Sequence, residues 1–211
     1  MKILLHCCCG PCTSGVFPVL AREGHEVTGF YTNPNIHPAE EYRLRLESLQ
    51  RYAGAVGMPL EIEEEYLPER YFAALGDDRR EGYRCRDCYA VRLGAAAVRA
   101  RATGDDAFTT TLLISPYQDQ EWIKLAGEEA GRRAGVPFLF QDFRPWYRQS
   151  IERSKEMGLY RQKYCGCSFS LAESKARRAQ REAERAAKPA ASAATRTKTK
   201  PAAKEGQEEQ A

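Results

Sequence analysis

The sequence predicts an α/β domain built on a parallel sheet, and three observations carry that prediction. Short apolar runs at residues 1–5, 26–31, 60–62, 107–113 and 136–141 suit buried strands. Segments of about ten residues or more with helical periodicity lie between them. Gly and Pro mark the junctions, at Gly10-Pro11, Gly57-Met58-Pro59 and Asn33-Pro34. Strands alternating with helices imply right-handed crossovers, which gather the loops after the strands at one end of the sheet. In an open α/β sheet, ligands bind in that crevice.

Taken in order, strand 1–5 breaks at Gly10 and Pro11, and Thr13 or Ser14 is the expected cap of a helix carrying Val16, Phe17, Val19 and Leu20. After the turn Glu23-Gly24-His25 comes strand 26–31, then the turn-rich loop 33–38. Pro38 suits a helix first turn, and Tyr42, Leu46, Leu49 and Ala53 give that helix an apolar stripe. Strand 60–62 follows, then short helices or an ordered loop at 66–75. The segment 83–89 is followed by a helix to about residue 101, before strand 107–113. Loop 115–119 opens helix 120–134, strand 136–141 follows, and helix 148–157 leads into the last two cysteines. The turn 7–12, the loop 33–38 and the loop 115–119 are expected to share one crevice.

Residues 1–171 are read as the α/β domain, 172–188 as a helical extension and 189–211 as a disordered, basic, Ala-rich tail. From residue 172 onward there is no Val, Ile, Leu, Phe, Tyr or Trp, too little apolar surface to offset chain entropy. That segment holds ten Lys or Arg against six Glu, leaving 22 basic and 23 acidic residues before it, so the formal charge of +3 belongs to the tail. A nucleic-acid partner therefore needs a local basic patch. No run approaches the roughly 20 apolar residues that span a bilayer, and a cytoplasmic location with no membrane partner is expected. In that compartment eight cysteines point to metal binding or catalysis instead of structural disulfides.

The thiols fall in three groups: Cys7, Cys8, Cys9 and Cys12; Cys85 and Cys88; Cys165 and Cys167. The first lies between a strand and a helix amino terminus, where the dipole favours thiolates. Inert buried cysteines are the plain alternative for any one of them, but three groups set among Arg, Asp, Gly and Tyr argue for chemistry. A four-cysteine zinc from Cys9, Cys12, Cys85 and Cys88 has 72 residues between its pairs, against a usual 15–20, and leaves four thiols unused. Iron–sulfur clusters accept thiolates from scattered loops. Cys165 and Cys167 are either a dithiol that cycles or extra ligands, since a disulfide between them closes a strained, labile ring.

Several linked motifs identify a family. His6-x-Cys8-Cys9-Gly10-Pro11-Cys12, Tyr31-x-Asn33-Pro34-Asn35-Ile36, Arg84-Cys85-x-x-Cys88-Tyr89-x-x-Arg92-Leu93, Ser115-Pro116-Tyr117, Asp142-Phe143-Arg144 and Tyr164-Cys165-Gly166-Cys167 occur in this order. From about residue 2 to 170 the chain resembles the cobalamin-independent epoxyqueuosine reductases, the QueH family. The resemblance implies the last step of queuosine synthesis, a two-electron reduction of epoxyqueuosine at the wobble position of tRNA. It further implies a [4Fe–4S] cluster with a neighbouring mononuclear iron held by Cys and carboxylate ligands. The fold it implies is a three-layer domain similar to the adenine nucleotide α-hydrolases. Cys7 stands where the family often has Ser or Thr, so no ligand role passes to it.

On this reading Cys8, Cys9, Cys85 and Cys88 hold metal, while Cys12, Asp142, Cys165 and Cys167 are catalytic, with Asp87 and Asp119 as alternatives to Asp142. His6 orients a ligand or donates a proton, or is simply a buried histidine with its hydrogen bonds made. Arg144, Trp146, Tyr147, Arg148 and Tyr164, with Arg153, Lys155, Arg161 and Lys163, interleave charge and rings as an RNA surface does. The electron donor is unspecified. One rival is a zinc-stabilised RNA-binding module without catalysis. Another, an ATP-dependent tRNA thiolase, needs a glycine-rich pyrophosphate loop where Cys8-Cys9-Gly10-Pro11-Cys12 stands.

Overall fold

The computed structural model describes residues 1–63 and 65–187. Four parallel strands form one sheet in the order β3-β2-β1-β4: β1 is Lys2–His6, β2 Glu26–Tyr31, β3 Leu60–Ile62 and β4 Ala107–Thr110. The chain moves outward from β1 through β2 to β3, then crosses back to place β4 on the other side of β1. Between β1 and β4 the winding reverses, and their carboxyl ends frame the crevice that such a switch point opens.

Helix α1, Gly10–Arg22, and helix α2, Ala39–Val56, make the first two crossovers. Helices α3, Pro68–Ala74, and α4, Tyr83–Thr103, make the third. Helix α5 is Gln120–Ala134, α6 Tyr147–Glu156 and α7 Ser168–Ala187. The main helix packing forms two sets, α1 with α2 and α6, and α4 with α3 and α5. Ile3, Leu4, Leu5, Val16, Leu20, Leu93 and Phe108 form the fully buried core between them. The chain divides into two compact units, Met1–Ser174 and Lys175–Ala211; the expected tail 189–211 lies outside the described residues.

Four expectations change. Helix α1 begins at Gly10, with Cys9 as its cap residue. Thr13 and Ser14 instead turn their hydroxyls back to the carbonyls of Cys9 and Pro11, both at 2.8 Å, while Pro11 supplies the pre-set φ of a first turn. Strand β4 stops at Thr110, whose side chain accepts the Leu112 N–H and starts a 3-10 turn, Thr111–Ile114. The expected strand 136–141 shrinks to a parallel bridge between Phe108 and Phe138. Pro137 has no N–H to give, and β4 ends too soon to offer a longer partner. Helix α4 also begins earlier than expected, so Cys85 and Cys88 lie in its first two turns.

Candidate metal centre

At the carboxyl end of β1 the chain enters α1 through Cys7, Cys8 and Cys9. The sulfurs of Cys8, Cys9 and Cys12 all lie within 4.8 Å of one another, with 3.7 Å between those of Cys8 and Cys9. Gly10 permits this turn: a Cβ there would stand 2.5 Å from the Ser48 carbonyl oxygen of α2. From the 3-10 turn after β4, Thr111 clamps Cys8 twice. Its Oγ1 accepts the Cys8 N–H at 3.0 Å and donates to the Cys8 sulfur at 3.3 Å. Gln162 Nε2 approaches the Cys12 sulfur at 3.8 Å.

These three thiols shift one another's protonation in opposite directions. Hydrogen bonds from Cys12 and Cys9 hold Cys8 well below an ordinary thiol, with help from the Arg92 charge and Thr111. The bond to Cys8 pushes Cys12 up, and burial pushes Cys9 up. A metal would replace the protons these thiols carry. Soft thiolate donors suit iron or zinc, and the 3.7 Å spacing matches the edge of about 3.8 Å between thiolates each ~2.3 Å from one tetrahedral metal. The donor set therefore fits a metal.

Cys7 faces the other way. It is fully buried in the core, donates to the Leu5 carbonyl at 3.2 Å, and is pushed up to about 12 by burial.

A second thiol group forms where α4 meets the segment before α7. Cys88 and Cys167 are buried together with Tyr71 and Leu75, and Phe169 packs against them. Cys165 is exposed, with Gln118 Nε2 3.6 Å from its sulfur. Burial raises Cys85 and Cys88, and each also feels a neighbouring thiol of this group. All eight cysteines are free thiols. The buried guanidinium of Arg92 feels Cys88, Cys8 and Cys165. Among the described residues it has no carboxylate partner, and its Nε makes no hydrogen bond.

The Cys165-Gly166-Cys167 turn is fixed from α2. Arg45, only 2% exposed, donates to Glu41 at 2.7 Å and to the carbonyls of Cys165 and Tyr164 at 2.8 and 2.9 Å. Gly166 has φ +141°, and its carbonyl accepts the His37 N–H at 2.8 Å. Sequence reasoning passed over Arg45, although it falls on the apolar stripe of α2, where a charge is a signal in itself. It also assigned nothing to Thr111, Gln118 or Gln162, polar residues whose value depends on what tertiary contact brings near.

The other candidates are placed as follows. The Nε2–H of His6 donates to the Thr32 carbonyl at 3.2 Å, since a carbonyl can only accept, so Nδ1 accepts from Thr110 Oγ1 at 2.8 Å. Burial drives its pKa down to about 3, leaving a neutral ring with both nitrogens engaged. Asp142 is exposed and grips Arg144 with both oxygens, at 2.8 and 2.7 Å; it is not part of the Cys8, Cys9 and Cys12 group. Asp87 accepts the Gly76 N–H and Asp119 caps α5. Trp146 packs against Phe143, Tyr147 stands edge-on to Tyr117, and Arg148 is exposed. Tyr164 donates to the His37 carbonyl and lies under the Arg45 guanidinium.

The family signature described as epoxyqueuosine reductase QueH matches residues 3–173. The chain belongs to the QueH family. The epoxyqueuosine reductase QueH of Dehalococcoides mccartyi is 37% identical over 169 residues, covering 80% of this chain and 92% of the relative. That of Thermotoga maritima is 36% identical over 186 residues, covering 84% and 94%. A solved structure described as a predicted subunit of tRNA methyltransferase from Methanocaldococcus jannaschii has the same fold. It gives a TM-score of 0.50 at 13% identity, covering 74% of this chain and 75% of that one. The QueH match spans all eight cysteines and makes the chain an oxidoreductase, which sets aside the non-catalytic RNA-binding reading. No described helix is long and apolar enough to cross a membrane.

Proposed function

We propose that this QueH-family enzyme reduces epoxyqueuosine to queuosine in tRNA, using iron held by its two thiol groups. Membership of the family supports the reaction and its place in queuosine biosynthesis. The observation that carries the metal reading is the Cys8, Cys9 and Cys12 trio, assembled beside the switch point with hydrogen bonds that favour the thiolate of Cys8. Bound there, a [4Fe–4S] cluster and a neighbouring iron supply electrons and a Lewis acid for the epoxide oxygen.

The protein's own groups do the rest. Cys8, Cys9 and Cys12 act as one ligand set, with Cys85 and Cys88 as the other, and Arg92 offsets the negative charge that thiolates concentrate in a buried site. Asp142, held by Arg144 at the surface, would have to leave that pair to serve as a ligand. The reaction takes two electrons and two protons, breaks both epoxide C–O bonds, and yields an alkene and water. Oxidation of Cys165 and Cys167 to a disulfide releases two electrons and two protons, which matches that demand. An external donor, such as a reduced ferredoxin or a dithiol protein, then restores the thiols. The strip Arg144, Trp146, Tyr147 and Arg148, together with Tyr164, receives the anticodon loop.

The test is iron and acid-labile sulfide content on protein purified without oxygen, followed by turnover on epoxyqueuosine-containing tRNA. About four or five irons with sulfide and absorption near ~400 nm, together with queuosine formation, are expected. One zinc without sulfide, persisting after iron–sulfide reconstitution, overturns the metal reading.

A further inference from the structure

Tyr117 is the most exposed large apolar side chain among the described residues, at 82%, yet its loop is firmly held. Its N–H donates to Ser115 Oγ at 3.2 Å, and the Gln118 N–H donates to the Ser115 carbonyl at 3.4 Å. The next side chain, Gln118, spans from the buried Tyr89 to Cys165. Its Oε1 accepts from the Tyr89 hydroxyl at 2.9 Å, and its Nε2 reaches Cys165 Sγ at 3.6 Å. The exposed ring is thus anchored one residue away from a contact with Cys165.

On its other side Tyr117 meets Tyr147 edge to face, with centroids 6.2 Å apart and planes at 83°. Burial, then Tyr117, then Cys12 raise the Tyr147 phenol, and Arg161 opposes them. So the aromatic pair lies within electrostatic reach of the first thiol group and of a cation. An edge-to-face pair covers at most one face of each ring, and the exposure of Tyr117 leaves a face open to solvent. Arg161 and Lys163 flank Gln162, which touches Cys12, and both are exposed with no ion-pair partner among the described residues. An open aromatic face whose Tyr147 partner feels the free Arg161 has the parts that stack single-stranded bases and hold their phosphates. An apolar protein partner has no use for those cations.

We propose that Tyr117 is a nucleobase-stacking residue, receiving an unstacked base of the anticodon loop on its open face while Tyr147 backs the ring. This rests on the tRNA reading above and adds a binding position to it. RNA recognition of this kind works on splayed loop bases laid against aromatic rings.

The experiment uses the full chain loaded with its metal and an epoxyqueuosine-containing tRNA. It compares wild type, Tyr117→Ala, Tyr117→Phe and Tyr117→Trp by RNA-binding anisotropy, by steady-state kinetics and by iron content. Tyr117→Ala is expected to raise Kd and KM by about 5- to 100-fold, with kcat and iron content unchanged, as loss of uniform binding requires. Tyr117→Phe and Tyr117→Trp are expected to bind as wild type does. If wild type turns over and Tyr117→Ala keeps its Kd and KM, the stacking position is wrong. It is equally wrong if Tyr117→Phe fails as badly as Tyr117→Ala, because the hydroxyl would then matter more than the ring. A wild-type protein that neither binds nor reduces the tRNA overturns the functional reading and the stacking position together.

Discussion

Arg92 donates from Nη2 to Oδ1 of Asn33 across 2.7 Å, and Asn33 donates from Nδ2 to the Cys7 carbonyl at 2.9 Å. One amide thereby ties the helix that carries Cys85 and Cys88 to the turn that carries Cys8, Cys9 and Cys12. Both residues are buried, at 2% and 1% exposure, so water cannot replace either bond.

Asn33→Ala leaves a buried guanidinium with one fewer acceptor and the Cys7 carbonyl without its donor. The expected cost is about 2–3 kcal/mol, which lowers Tm by roughly 5–10 °C for a chain of this size. Iron content should fall with it, because the two thiol groups lose their common brace. Asn33→Asp keeps an acceptor for Arg92 and should recover part of the loss. Thermal melts and iron assays on both variants decide the matter, and equal losses would show that the Arg92 contact contributes nothing.

The parallel sheet and the position of the thiol turn were legible in the sequence, because apolar runs, Gly10 and Pro11 are local signals. The end of β4 was not legible. Thr110 and Thr111 look like strand residues, but the Thr110 hydroxyl caps a 3-10 turn and that of Thr111 binds Cys8. The grouping of Cys12 with Cys8 and Cys9 also depended on where α1 starts. With Cys9 as cap, Cys12 falls on the first turn and its sulfur returns toward the strand end. Arg45 and Arg92 owe their burial to partners more than 55 residues away in sequence, at |i−j| of 120 and 59, and no local pattern encodes such pairs.

Arg45→Met tests the brace on the Cys165 turn. Removing one partner of a buried ion pair strands the other, here Glu41 at 6% exposure, at about 3–5 kcal/mol. It also frees the carbonyls of Cys165 and Tyr164. Adding Glu41→Leu removes the stranded charge and should restore much of the stability, but not the hold on the turn. Hydrogen exchange at residues 164–167 should therefore stay fast in the double variant while Tm recovers. Slow exchange there would show that other contacts suffice.

Cys7 and Cys8 adjoin in sequence and part company in structure, which makes a paired substitution informative. Cys7→Ser keeps a donor for the Leu5 carbonyl, so iron content and turnover should stay close to wild type. Cys8→Ser removes the sulfur that Cys9 and Cys12 engage and should abolish iron binding. Iron analysis on anaerobically purified variants reads the difference directly. Normal iron in Cys8→Ser would dismiss the trio as a ligand set.

The family match ends at residue 173, and from residue 172 the sequence has no large apolar side chain to bury. Deleting residues 189–211 should therefore leave iron content, Tm and kcat unchanged. The deleted segment carries four Lys or Arg against three Glu, so it adds only about one net positive charge. Counterion release from so small a charge shifts RNA affinity by less than about tenfold over the working salt range. Steady-state kinetics at two salt concentrations, comparing full-length and truncated protein, gives the answer. A loss of turnover that high tRNA concentration fails to restore would place the tail in the chemistry instead of in binding.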